Sequence, residues 1–355
     1  KMQWKKSKKN EKFAMKTIKQ VVIEDVSKIS IQTADMPTYG EDEVLLKLLY
    51  GGICGSDLSI YKGVMAGSAY PRIAGHEFSA EVVAVGRHIT DLPVGTIVTG
   101  NPYFNCGTCY SCQRGLVNCC VSNETAGVQR DGAFRQYITL PRTRVYDGKG
   151  VLPQKLALVE PFCIGYHAAK RAHICKGEKV LIVGAGTIGM MAALAVLTMG
   201  GEVTLCDVSP DKLKLADTFG VHHTILNDGS RPLSEYVAEF TGGNGYDIAI
   251  EAVGLPQTVD DCINSLAFGG RAVLIGVVKH SAEFLFDKIR HKYLTVIGSR
   301  NALREDFEAV VDIVRSDSFP VDQLISKIFP MEDAADAFDF FAKHGDTNFK
   351  IMLKF

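Results

Sequence analysis

The sequence has almost no imbalance of charge. Its 39 lysines and arginines face 40 aspartates and glutamates, leaving a net charge of −1 over 355 residues. No overall positive field draws in a phosphate backbone, so nucleic acid is not an expected partner. Tryptophan occurs once, and 12 prolines and 34 glycines without a fixed period exclude a collagen-like chain. Ten cysteines are too few to staple a chain of this length as a disulfide scaffold. Long hydrophobic runs are also missing. The longest uncharged stretch, Val180–Gly201, has twenty-two residues, enough on paper to span a bilayer. It opens as a strand-like run, Val180-Leu181-Ile182-Val183, breaks at Gly184-Ala185-Gly186 and resumes as a helix near Thr187, so a buried strand, turn and helix are expected and a membrane span is not. Lys1–Lys12 holds six lysines and one glutamate with no apolar segment after it, which does not read as a secretory signal. Residues 1–14 read as a disordered basic extension, and the cytoplasm as the location.

What is present is the composition of a globular enzyme. Hydrophobic residues make up 46% and charged residues 22%, and the length predicts about two domains. Residues 15–164 carry short alternating apolar runs split by glycine and proline, such as Glu43–Leu49 and Ala80–Val85, the pattern of a β-rich domain. Residues 165–300 alternate strands with helical windows: Lys179–Val183, a helix to Met199, Glu202–Asp207, a helix over Ser209–Phe219, Asp247–Ala252, Ala272–Gly276 and Thr295–Gly298. That alternation predicts a doubly wound parallel sheet. Residues 301–355, with helices over Glu305–Arg315 and Glu332–Lys343 and a strand at Lys350–Leu353, are expected to return to the first domain.

Three motifs carry chemistry. Gly184-Ala185-Gly186-Thr187-Ile188-Gly189 follows a strand and opens a helix, and Asp207 ends the next strand. The glycines allow a tight turn, close approach of a pyrophosphate and close helix–strand packing. The helix N-terminus favours the anion. Gly184, Gly186, Ile188, Gly189 and Asp207 are therefore the expected dinucleotide site. Asp207 is suited to accept from ribose hydroxyls and to repel a 2′-phosphate, which predicts NAD over NADP. Next, Cys106, Cys109, Cys112 and Cys120 have the spacing of four thiolates around a closed, structural zinc; Cys119 adjoins Cys120, but the spacing favours Cys120. Last, Cys54-Gly55-Ser56-Asp57, Gly75-His76-Glu77 and Glu160-Pro161 offer one thiolate, one imidazole and a carboxylate. Such a set leaves zinc a fourth position for substrate.

Together CGSD at 54–57, GHE at 75–77, the four-cysteine lobe, EP at 160–161 and GAGTIG at 184–189 resemble the zinc-containing medium-chain dehydrogenase family, in its polyol and sugar-acid branch, over residues 15–355. The resemblance implies a GroES-like β-rich catalytic domain joined to a Rossmann domain, with two zinc ions per chain, one catalytic and one structural, and NAD. It implies Cys54, His76 and Glu160 as catalytic zinc ligands, with Glu77 as an alternate. Ser56 would carry the hydroxyl proton towards the nicotinamide ribose, and Asp57 would orient His76. The relay normally ends at a histidine where this chain has Ser59, so proton exit through water is expected. Ala80 stands where glycine is usual, a packing variation.

Gly127-Val128, Asp131-Gly132, Phe134, Glu160-Pro161-Phe162 and Gly298-Ser299-Arg300-Asn301-Ala302 resemble bacterial dehydrogenases of hexonates such as L-gulonate or L-galactonate, acting at the C5 hydroxyl. Arg300 is then a candidate fork for the substrate carboxylate, with a cofactor contact or an ion pair as its other readings. A sugar-phosphate alcohol dehydrogenase, such as one for galactitol 1-phosphate, is the rival enzyme, with Arg130, Lys279 and Arg300 as candidate phosphate contacts. A non-catalytic dinucleotide-binding protein is the rival of another class. A homodimer or homotetramer is expected.

Overall fold

The computed structural model describes residues 16–65, 67, 69–277, 281 and 286–355. The expected basic extension at 1–14 and Lys279 lie outside the described residues. Among those residues, no helix is long and apolar enough to cross a membrane.

One sheet is built around the strand Glu43–Ile53, which pairs with three other strands at once. Seven strands follow the order Ile325–Pro330, Lys350–Lys354, Glu43–Ile53, Glu77–Val85, Ile97–Gly100 and Val145–Asp147, with Tyr137–Pro141 also pairing with Glu43–Ile53. The strand Lys350–Lys354 comes back from the far end of the sequence to run antiparallel to Glu43–Ile53, with Met352 opposite Gly52. On its other side Gly52 stands opposite Glu77. Only glycine fits there: a Cβ at Gly52 would lie 2.2 Å from Glu77 Oε2 and 3.2 Å from Lys350 Cδ.

The second sheet is parallel throughout, as the alternation of strands and helices requires. Its order is His223–Leu226, Glu202–Asp207, Lys179–Val183, Tyr246–Glu251, Leu266–Leu274, Thr295–Gly298. In order of appearance this is 3-2-1-4-5-6, which reverses direction beside Lys179–Val183 and opens a crevice at the carboxyl ends of the strands. The Gly184–Gly189 turn sits at that point.

The expected strands Lys179–Val183, Glu202–Asp207 and Thr295–Gly298 form with those bounds. The helix expected over Ser209–Phe219 is instead a short one, Pro210–Lys214, followed by a 3-10 turn to Phe219 and a left-handed Gly220. The helix Val159–Arg171 is not among the windows that periodicity indicates. Nine of its thirteen residues are buried, so it lacks the polar face that marks an amphipathic helix, and Pro161 is tolerated because amides of the first turn have no partner inside the helix.

That helix packs on Thr187–Thr198 at close range through Gly165, where a Cβ would lie 2.4 Å from Ala192 N and 2.6 Å from Met191 C. Gly165→Ala sets two effects against each other. Helix propensity favours alanine by about 1 kcal/mol, whereas forcing backbone apart in a packed interface costs typically about 1–3 kcal/mol or more. The expected outcome is net destabilisation, read as a lower urea midpoint with unchanged slope.

Candidate functional site

The site grows from the ends of two segments held by one carboxylate. Cys54 is the N-cap of the helix Gly55–Tyr61. Asp57, fully buried in its first turn, accepts from Cys54 N at 2.9 Å through Oδ2 and from Gly75 N at 3.1 Å through Oδ1. The same Oδ1 lies 3.6 Å from His76 Nδ1, a charge contact too long for a hydrogen bond. Asp57 thus fixes the main chain that carries both Cys54 and His76.

A second support comes from the Gly127–Phe134 segment. Gly132 N, Ala133 N and Phe134 N donate to Ile73 O, Gly75 O and Ala74 O at 2.7, 2.9 and 3.0 Å. Gly75 is left-handed (φ 95°), and a Cβ there would strike the Phe134 ring at 2.3 Å. The glycines of that motif are explained by this close stacking of backbone on backbone.

Ligand atoms of Cys54, His76 and Glu77 lie within 4.8 Å of one another. The structure gathers these three, and Glu160 stands outside the set: its carboxylate accepts a short hydrogen bond from the Tyr103 hydroxyl. Glu77, fully buried, is compensated by Lys350, whose Nζ lies 2.7 Å from Oε1 and 2.6 Å from Oε2. Tyr103 and Lys350 escape sequence reasoning because their partners are 57 and 273 residues away. Burial disfavours a charged His76, yet the negative charges of Asp57 and Cys54 more than offset this and raise its pKa well above the usual value. Among the described residues, His76 Nδ1 is buried without a hydrogen-bond partner. The sulfur, imidazole nitrogen and carboxylate oxygen gathered here are the donors that zinc takes, so the residues fit zinc. Burial, with Glu77 nearby, pushes Glu160 up to about 7.

Of the expected proton relay, Ser56 is half-buried and has no hydrogen bond among the described residues, whereas Ser59 Oγ donates to Gly55 O at 2.9 Å within its own helix. Ala80 is fully buried in the strand Glu77–Val85.

The four-cysteine lobe gathers Cys106, Cys109, Cys112 and Cys120, with Cys119 outside the group. Sulfur separations of 3.5 Å (Cys106–Cys120) and 3.9 Å (Cys109–Cys120) bracket the ~3.8 Å edge of a tetrahedron with Zn–S bonds of ~2.3 Å. Amides of Thr108 and Cys109 lead in lowering the Cys106 thiol to about 6, towards the thiolate that zinc requires.

At the dinucleotide turn, Gly189 is the close-packing position, since a Cβ would lie 1.7 Å from Gly184 O. Gly186 faces open space, a cradle for a phosphate at the N-terminus of Thr187–Thr198. Ile188 is half-buried in that first turn. Asp207 accepts from Ala185 N at 2.6 Å and Ser209 N at 2.8 Å. Glu251, which sequence reasoning misses, organises the neighbouring turn by accepting from Val253 N and Gly254 N, each at 2.8 Å. Arg300 is exposed just beyond the strand Thr295–Gly298, and its guanidinium has no ion pair among the described residues. Arg130 lies over the Phe104 ring, 3.8 Å from its centroid.

Residues 40–152 match the alcohol dehydrogenase GroES-like domain and residues 187–316 the zinc-binding dehydrogenase family. The chain is 31% identical to L-galactonate-5-dehydrogenase of Escherichia coli (strain K12) over 92% of its own length and 95% of that protein's. Among solved structures, galactitol-1-phosphate dehydrogenase from Escherichia coli superposes with a TM-score of 0.88 at 29% identity, covering 95% of this chain and 99% of that one. An alcohol dehydrogenase from E. coli CFT073 complexed with NADH gives 0.89 at 29% identity, covering 96% and 100%.

Two outcomes are expected. Cys120→Ser removes about one of two zinc ions per chain, as read by metal analysis, whereas Cys119→Ser leaves the content unchanged. In metal-stripped protein, Glu160 binds its proton more tightly folded than unfolded. Its contribution is therefore greatest below its ordinary pKa near 4.5 and is lost as pH rises to about 7, a swing of about 3 kcal/mol. Unfolding titrations are expected to show that fall in wild type and not in Glu160→Gln.

Proposed function

This chain belongs to the zinc-containing alcohol dehydrogenase family, and from that premise we propose that it oxidises the C5 hydroxyl of a hexonate of the L-gulonate or L-galactonate type, with NAD as hydride acceptor. The observation that carries the reading is the close set of Cys54, His76 and Glu77, with His76 and Glu77 buried and Cys54 half-buried, whose sulfur, nitrogen and oxygen donors suit a cation, with Glu160 buried beside it. Zinc, when bound there, supplies Lewis acidity that makes the hydroxyl proton labile near neutral pH.

The chain's own residues do the rest. Cys54 and His76 hold the ion. Glu160 is the third ligand and Glu77 the alternate, because Glu77 already has its counter-ion in Lys350 whereas Glu160 holds only a neutral phenol. Ser56 takes the hydroxyl proton and passes it to water, since Ser59 is occupied within its helix. Gly184, Gly186, Ile188 and Gly189 seat the pyrophosphate, and Asp207 takes the ribose hydroxyls and repels a 2′-phosphate. Arg300, whose guanidinium has no ion pair among the described residues, grips the substrate carboxylate as a bidentate donor. Cys106, Cys109, Cys112 and Cys120 hold the structural zinc.

Ten unpaired cysteines suit a reducing compartment such as the cytoplasm. The exposed edge strand Thr295–Gly298 is the side on which a second copy would pair, giving a homodimer or, in pairs, a homotetramer.

The test is a panel of hexonates, neutral polyols and polyol phosphates scored by NADH appearance. Turnover of L-gulonate or L-galactonate is expected, with Arg300→Gln raising KM for the hexonate about tenfold or more through loss of a charged fork. Turnover of galactitol 1-phosphate alone would assign the chain to the sugar-phosphate dehydrogenases and remove the carboxylate contact from Arg300.

A further inference from the structure

Within the four-cysteine lobe lies a buried side chain to which the chemistry above gives no part. Asn118 sits in the 3-10 turn Val117–Cys119, between the third and fourth thiols, and is 5% exposed. Its Nδ2 donates to Arg300 O at 2.9 Å, and its own main-chain oxygen accepts from Asn301 Nδ2 at 3.3 Å. Two hydrogen bonds running in opposite directions thus fasten the lobe to the segment that presents Arg300.

The remaining bonds fix how that amide points. Asn118 Nδ2 also lies 3.3 Å from His167 Nε2, and His167 Nδ1 lies 2.7 Å from Asp306 Oδ2. Asp306, fully buried, accepts further from Leu303 N at 2.8 Å and Lys170 Nζ at 3.0 Å. A carboxylate only accepts, so His167 Nδ1 carries the hydrogen and Nε2 is left to accept from the Asn118 amide. Both amide hydrogens are then in use, one on His167 and one on Arg300 O. Rotating the amide would set its oxygen against the Arg300 carbonyl. The segment so held is an unusual one, because Asn301 is left-handed (φ 51°), a conformation that asparagine tolerates but that needs support from its surroundings. It leaves the carboxyl end of the edge strand, on the side of the parallel sheet where ligands bind.

We propose that Asn118 is a positioning residue for Arg300: the lobe's buried amide sets the main chain at residues 300–301 and so aims the guanidinium at the substrate. The proposal rests on the reading of Arg300 as the carboxylate contact. It gives the four-thiolate lobe a part in substrate affinity as well as in stability.

The experiment is a double-mutant cycle of Asn118→Ala and Arg300→Met in the zinc-loaded protein, together with amide hydrogen exchange over residues 299–303. Asn118→Ala is expected to raise KM for the hexonate about tenfold while kcat stays within about threefold, and to change KM less than about twofold in the Arg300→Met background. Asn118→Asp, of the same shape but without a hydrogen for Arg300 O, is expected to raise KM at least as far. Exchange at 299–303 is expected to speed up about tenfold in Asn118→Ala without substrate. Additive KM effects, or a lower melting temperature with exchange at 299–303 unchanged, would overturn the proposal. If wild type oxidises no hexonate, the substrate reading fails by itself, and the exchange measurement alone decides whether Asn118 holds the segment.

Discussion

A single buried carboxylate holds the candidate centre together. Asp57 receives the amides of Cys54 and Gly75, which belong to two separate segments of the chain. Those two acceptor bonds tie the main chain at the thiol to the main chain just before the imidazole. Because the carboxylate is out of contact with water, its charge acts at full strength on its neighbours. It raises the pKa of His76, as does Cys54, and two further carboxyl groups, Glu77 and Glu160, are buried nearby. So much negative charge in a low-dielectric space is costly unless a cation compensates it. Lys350 supplies one such cation for Glu77, and a divalent metal fits what is left.

The two sheets divide this work. The seven-stranded sheet places Glu77, Gly52 and Lys350 on adjacent strands, with Gly52 opposite Glu77 and Met352, while the Gly127–Phe134 segment locks the chain just before His76. The parallel sheet brings its reversal point, the glycine turn and Asp207 together at the carboxyl ends of its strands. The helix Val159–Arg171 touches both the candidate metal centre and the four-cysteine lobe. Glu160 in its first turn faces Tyr103, and His167 near its other end faces Asn118 and Asp306. The structural lobe and the candidate metal centre are thus read by opposite ends of one buried helix.

Much of this was legible in the residues. Motifs with fixed spacing and local geometry, such as the glycine turn and the four thiols, can be read because their partners lie within a few residues. In the parallel sheet Lys179–Val183, Glu202–Asp207 and Thr295–Gly298 could be bounded closely, whereas Leu266–Leu274 begins well before the expected Ala272 and His223–Leu226 is not among the expected strands. The helix Val159–Arg171 could not, because a helix buried on most sides loses its periodic signal. Nor could the split between the two carboxylates be read: whether Glu77 or Glu160 stands nearer to Cys54 and His76 depends on Lys350 and Tyr103, which arrive from distant strands. Asp57 illustrates the middle case. Its partnership with His76 was expected, yet its hydrogen bonds go to main-chain amides, and only the folded register at Gly75 reveals that.

The ion pair between Glu77 and Lys350 has a bearing on synthesis. With 273 positions between the partners, a ribosome working at about 5–20 residues per second exposes the acid for roughly a quarter of a minute to a minute before its base emerges. Meanwhile the whole parallel sheet has been made. The nascent β-rich half must therefore wait, unclosed, for a strand encoded after its neighbour, and the nucleotide-binding half is free to fold first.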